Sequence, residues 1–207
     1  MGQNPSIFGI FVVKNLTFFA MKRLFLSLLI SFCTLCMAQT NHMKFKGIPM
    51  EGTVESFVKK LEAKGYTYLG QSNGQACLLG DFAIRKDCGI AVTSENGVVK
   101  EVAVLNPAKE NWADISREYY ILKDMLTEKY GKPESMEEFH NGDCPTDLLK
   151  FLALVQGECT FASRFSCNEG YVMLSMKGMG DMSAIVTLLY QNKSDIDDSY
   201  KRAMDDL

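Results

Sequence analysis

The chain has 207 residues, 47% of them hydrophobic and 23% charged, with a formal net charge of -3. This is an ordinary globular composition, which excludes collagen, coiled coil and wholesale disorder, while the acidic balance argues against a dedicated nucleic-acid binder. The length admits a core that needs no obligatory staples.

In chain order, the first expectation is an export leader. Met21-Lys22-Arg23 is followed by LFLSLLISFCTLCMA, a basic start, a short apolar run and a small-residue cleavage site. The apolar stretch is too short for a span of about 20 residues. Residues 1–20 read as an upstream extension, with cleavage after Ala38 and Gln39 as the new terminus. A lipid anchor on Cys33 or Cys36 is disfavoured, because Phe32 or Leu35 stands where a small residue belongs. Cleavage removes Lys14, Lys22 and Arg23 and no acidic residue, leaving 19 basic against 25 acidic, a net charge of -6. The expected address is periplasmic or secreted, with no nucleic-acid partner and no stable membrane insertion; a protein or envelope component is the expected partner class.

The remainder, 39–207, reads as a single α+β domain. His42-Met43-Lys44-Phe45-Lys46 suggests a strand, ended by Gly47-Ile48-Pro49. Val54, Phe57, Val58 and Leu61 fall at helical spacing behind Thr53, predicting a helix at 53–64 that Gly65 ends. Strands are predicted at 67–71, 76–83, 88–94 and 98–106, with Glu95-Asn96-Gly97 as a hairpin turn. The longest helix is predicted at about 110–130. Trp112, Ile115, Tyr119, Leu122, Met125, Leu126 and Tyr130 form its apolar face, and Arg117, Glu118, Lys123, Asp124 and Glu128 point elsewhere. Gly131 and Pro133 stop it. A series of strands is then expected at 135–140, 148–155, 158–166, 170–178 and 183–192, before a short polar C-terminal helix. Phe57 and Leu122, Leu61 and Leu126, and Lys64 and Lys129 correspond at an offset of 65. This suggests an internal duplication, 42–106 and 110–192: two helix-plus-antiparallel-meander halves with the helices on one face of the sheet.

Five cysteines follow the leader: Cys77, Cys88, Cys144, Cys159 and Cys167. In an exporting compartment these are disulfide candidates. Two bridges among five can be drawn fifteen ways. Cys77–Cys88 and Cys159–Cys167 require neighbouring strands about 5.5 Å apart, and Cys144 can take Cys159 or Cys167. No CxxC pair exists and only His42 and His140 accompany the cysteines, so neither a metal nor another cofactor is expected.

The runs FKGIPMEGTVESFVKKLEAKGY, GDFAIRKDCGIAV, LKDMLTEKYGKP and the closing AMDDL resemble a family of small exported proteins of Bacteroides-type gut bacteria. The likeness implies export and this architecture, and no activity. Where family members read GDFAGY, this chain reads GDFAIR. In layout the chain is similar to β-lactamase inhibitor protein, with its tandem helix-plus-sheet halves.

No catalytic fingerprint is present. Gly178-Met179-Gly180-Asp181 reads as a turn; Asp195, Asp197, Asp198, Asp205 and Asp206 as helix-start and tail charges; Glu134, Glu137 and Glu138 as a solvated face. Trp112, Tyr119 and Tyr120 read as core rather than a sugar platform. Met173, Met176, Met179 and Met182 are dense in the last hairpin and suit core filling or an adaptable contact surface, with Met176 the position to probe. The expectation is a non-catalytic binding or inhibitor-like domain acting through the open face of its sheet. The alternative is a cell-envelope or glycan hydrolase using Cys144 with His140.

Overall fold

The computed structural model describes residues 42–193 and Asp195. The leader, its cleavage site and most of the expected C-terminal helix lie outside the described residues.

A small hairpin opens the domain, β1 (Lys44–Phe45) and β2 (Ile48–Pro49), where the sequence suggested one longer strand. Helix α1 (Val54–Glu62) follows, then β3 (Thr67–Ser72), β4 (Gln75–Phe82), β5 (Arg85–Glu95) and β6 (Val98–Leu105). Next come α2 (Trp112–Tyr130), β7 (Glu134–Phe139), α3 (Asp147–Gln156), β8 (Cys159–Ser166), β9 (Gly170–Gly178) and β10 (Ala184–Asn192). Strands β3 to β10 form one sheet in the order β3-β4-β5-β6-β10-β9-β8-β7, with every neighbouring pair antiparallel. Each chain segment therefore runs inward from an edge, and the two meet where β6 pairs with β10. The turn between β5 and β6 has positive φ at Asn96 and Gly97, 53° and 77°, the conformation that Asn-Gly accepts most cheaply.

The register sorts the side chains into two faces. Leu78, Ile90, Val104, Leu188, Leu174 and Ser163 stand opposite one another across six strands, and all are buried. The helices pack against this inner face. Thr53 caps α1, its hydroxyl accepting from the Ser56 amide at 3.3 Å, and Val54, Phe57, Val58 and Leu61 are buried. Asn111 caps α2 by accepting from the Asp114 amide at 2.9 Å. From α2, the Tyr119 hydroxyl bonds Ser163 Oγ at 2.8 Å, and Trp112 meets Phe161 edge-on with centroids 5.3 Å apart. Trp112 and Tyr119 are thus core, as their spacing indicates.

One expected strand is a helix. The apolar run at 148–155 lies in α3, because its ends are built as helix ends: Thr146 accepts from the Leu149 amide, and Gly157 takes a left-handed φ of 74°. Phe151 and Leu154, three apart, enter the core. Cap chemistry outweighs the strand propensity of an apolar run here.

The fit of α3 rests on a glycine. A Cβ at Gly178 would stand 2.5 Å from Val155 Cα and 2.6 Å from the Leu154 carbonyl oxygen, both backbone atoms. Gly178→Ala must therefore push the end of α3 away from β9. The expected cost is about 1–3 kcal/mol, read as a lowered midpoint in denaturant titration with an unchanged slope.

Candidate functional site

The face opposite the helices has three rows. At one end lies a polar row, Gln75, Thr93, Glu101, Gln191, Tyr171 and Ser166. Its members bond each other: Gln75 Nε2 donates to Thr93 Oγ1 at 3.3 Å, Gln191 Nε2 donates to Glu101 Oε2 at 2.8 Å, and the Tyr171 hydroxyl donates to Gln191 Oε1. Arg164 caps the Tyr171 ring, 4.8 Å from its centroid.

The next two rows are mostly apolar. One runs Cys77, Ala91, Ala103, Leu189 and Met173; the other runs Leu79, Gly89, Leu105, Thr187, Ser175, Ala162 and Met136. Ala91, Ala103, Gly89 and Ala162 are small beside Leu189, Leu105 and Met173, so the face is uneven and a groove runs across it. Ile185 and the last turn of α3, Leu154 to Gly157, wall one end of the groove, whose volume is about 840 Å³. No helix covers it. A continuous apolar band with its polar groups already paired is suited to contact rather than to bond-making.

Both sheet edges are guarded. Edge strand β7 reads ESMEEF with exposed carboxylates, and β3 is interrupted by a bulge between Tyr68 and Gly70. Edge-to-edge strand addition is thereby discouraged, and the face remains the available surface.

The five cysteines are unbridged. Two expected local pairs are ruled out by position. Cys77 lies on the open face and Cys88 on the inner one, three pairs along the same ladder. Cys159 opens β8 and Cys167 follows its last residue, some eight residues or about 26 Å apart along one strand. Cys144 neighbours Cys159: burial, and in smaller part the charge of Cys144, push the Cys159 thiol up to about 11.

The hydrolase pair is not joined. Among the described residues His140 Nε2 bonds Thr160 Oγ1 at 2.8 Å, and no hydrogen bond links it to Cys144. No group of three or more His, Cys, Asp or Glu side chains converges as a metal site among the described residues, and no described helix is long and apolar enough to cross a membrane. Glu137 is held by Tyr119, Tyr120 and Lys123. Met173 belongs to the open face, whereas Met176 is 5% exposed and belongs to the core, which corrects the choice of Met176 as the contact probe. Met179 and Met182 are exposed at the turn beyond β9.

A second correction concerns Glu118. The sequence placed it on the polar side of α2, but it is fully buried. Its Oε2 lies 3.1 Å from Arg85 Nη2 and 3.4 Å from Lys109 Nζ, and neither contact has hydrogen-bond geometry. Cys88, whose thiol donates to Asn106 Oδ1 at 3.3 Å, lies in the same cluster. Burial, chiefly, pushes the Cys88 thiol up, so at neutral pH it is protonated and a poor nucleophile. The cluster fastens α2 to β5 and to the segment before the helix. In a timed alkylation, exposed Cys77 is expected to react fastest and Cys88 last, with Cys88 released only on unfolding.

Comparison with family models, with curated proteins and with solved structures finds no match to this chain.

Proposed function

We propose that the protein is a non-catalytic binding domain of inhibitor-like type, exported from the cell, whose open sheet face seats a protruding apolar loop of a partner protein. The observation that carries this reading is the apolar band through Ala91, Ala103, Leu189 and Met173, which lines a groove among the described residues. The small side chains of Ala91 and Ala103 leave room beside Leu189 for a protruding partner segment, and the polar row needs no ligand to satisfy it. The band lies where β6 and β10 meet, so both chain halves contribute to it. On this reading each half, a helix with four strands, is a copy of one unit, with α3 inserted in the second.

Cys77 supplies a built-in probe, because it is exposed at the end of the apolar row. Maleimide labelling of Cys77 is expected to be fast in the purified protein and protected in the native envelope fraction. Protection should disappear in Leu189→Lys. Equal labelling in both settings would count against the proposal.

Export also selects one disulfide. Cys144 and Cys159 are the neighbouring thiols, and a disulfide-bearing oxidant would join them while taking up the two electrons and two protons. Non-reducing peptide mapping of the exported protein is expected to find this bridge, with Cys77, Cys88 and Cys167 free.

A further inference from the structure

A second cavity, of about 520 Å³, lies apart from the open face, beneath the β1–β2 hairpin. Its position follows from how the hairpin is pinned. Phe45 stacks on Phe82 with centroids 5.7 Å apart and meets Tyr190 edge-on at 5.4 Å. Asn192 clasps the hairpin from both sides, accepting from the Met43 amide at 2.8 Å and donating to the Met50 carbonyl at 3.0 Å. With Phe45 buried, its neighbours Lys44 and Lys46 are left at the cavity, where Lys129 joins them from the last turn of α2.

None of these three lysines has a carboxylate partner among the described residues. Lys46 Nζ is 3.5 Å from the Asp81 carbonyl oxygen and 5.9 Å from the Phe82 ring centroid, and Lys129 Nζ is 4.8 Å from that of Tyr130. The cavity has one carboxylate, Glu169, and one imidazole, His42, which faces Glu51 at 3.7 Å. Its walls are otherwise apolar and aromatic. Tyr190 lines it at 4% exposure, and its hydroxyl makes no hydrogen bond with any described residue. The residue lines the cavity, and its hydroxyl is not among the described buried side-chain atoms that are both closed to solvent and unpaired. Burial pushes its pKa up, so the hydroxyl keeps its proton and is a donor at every physiological pH.

We propose that this cavity binds a small organic anion, a carboxylate carried on a ring-sized apolar body, with the Tyr190 hydroxyl as its buried donor and Lys44, Lys46 and Lys129 as counter-charges. The three cations select the charge and the aromatic walls take the body. The Tyr190 hydroxyl distinguishes this from a loose basic patch, because it fixes one point inside.

The test is titration of the purified protein with benzoate, benzamide and inorganic phosphate, followed by calorimetry and by amide shifts at the cavity. Benzoate is expected to bind saturably in the millimolar range or tighter, and benzamide and phosphate at least tenfold more weakly. Tyr190→Phe removes one hydrogen bond to a charged group and is expected to weaken benzoate about tenfold or more. The double variant Lys44→Gln/Lys46→Gln, at two exposed positions, should weaken it comparably and flatten its salt dependence. Absence of saturable benzoate binding, equal binding of benzamide or phosphate, or unchanged affinity in both variants would overturn the proposal.

Discussion

Glu118→Ala is expected to lower stability by about 3 kcal/mol, a fall in melting temperature of about 6–12 °C for a domain of this size. The carboxylate is fully buried and draws Arg85 and Lys109 to the same oxygen. Removing it takes the counter-charge from two cations and opens a cavity beside Ile115 and Leu122, its neighbours along the helix. The loss falls at the low end of what breaking a buried ion pair costs, because Arg85 and Lys109 are partly exposed and can turn toward water. Glu118→Leu fills the volume without charge and is expected to cost less than Glu118→Ala, since buried pairs are often replaceable by well-packed apolar residues. Thermal and urea melts of both variants check the order. If Glu118→Ala melts like the parent, the cluster is not what holds α2 to β5.

The second large effect separates two methionines three residues apart on β9. Met176→Glu places a carboxylate on the inner face, opposite buried Val186 and among the apolar residues of the core. The expected cost exceeds about 4 kcal/mol, enough to prevent cooperative folding. Met173→Glu points the same carboxylate to the open face, opposite Leu189 and beside Arg164. Its stability should stay within about 1 kcal/mol of the parent, while partner protection of Cys77 is lost. Far-UV and near-UV circular dichroism, read alongside the labelling rate, distinguishes the two outcomes. The contrast follows from strand geometry, since an odd step along a strand reverses the face.

Most of the architecture was legible in the sequence because its signals were local. The alternation in 76–83 and 98–106, the Asn-Gly turn and the Thr53 cap each specify their own element without help from elsewhere. Helix α3 was misread because an apolar run of eight residues has no decisive period, and the deciding evidence, Thr146 and Gly157, lies just outside it. Glu118 was misread for a different reason. It is charged, yet it lies three residues after Ile115 and four before Leu122, inside the helical stripe. Its partners Arg85 and Lys109 are distant or loop-borne, so only the fold brings them together. The open face was legible in outline: the small residues at 91, 103 and 162 alternate with core residues, but which rows they join depends on register. The Tyr190 cavity left no trace in the sequence, because it is made by a hairpin, a helix end and a strand that meet only in three dimensions.

The most direct test of open-face binding is site-specific photocrosslinking in cells that produce the protein. A photoreactive residue is placed at Leu189 on the open face or, as a control, at Ile121, exposed on α2. The prediction is a single discrete protein adduct from position 189 that is absent from position 121 and abolished by Met173→Glu, with the joined peptide mapping to an apolar loop of the partner. An adduct from position 121 with none from position 189 would contradict it.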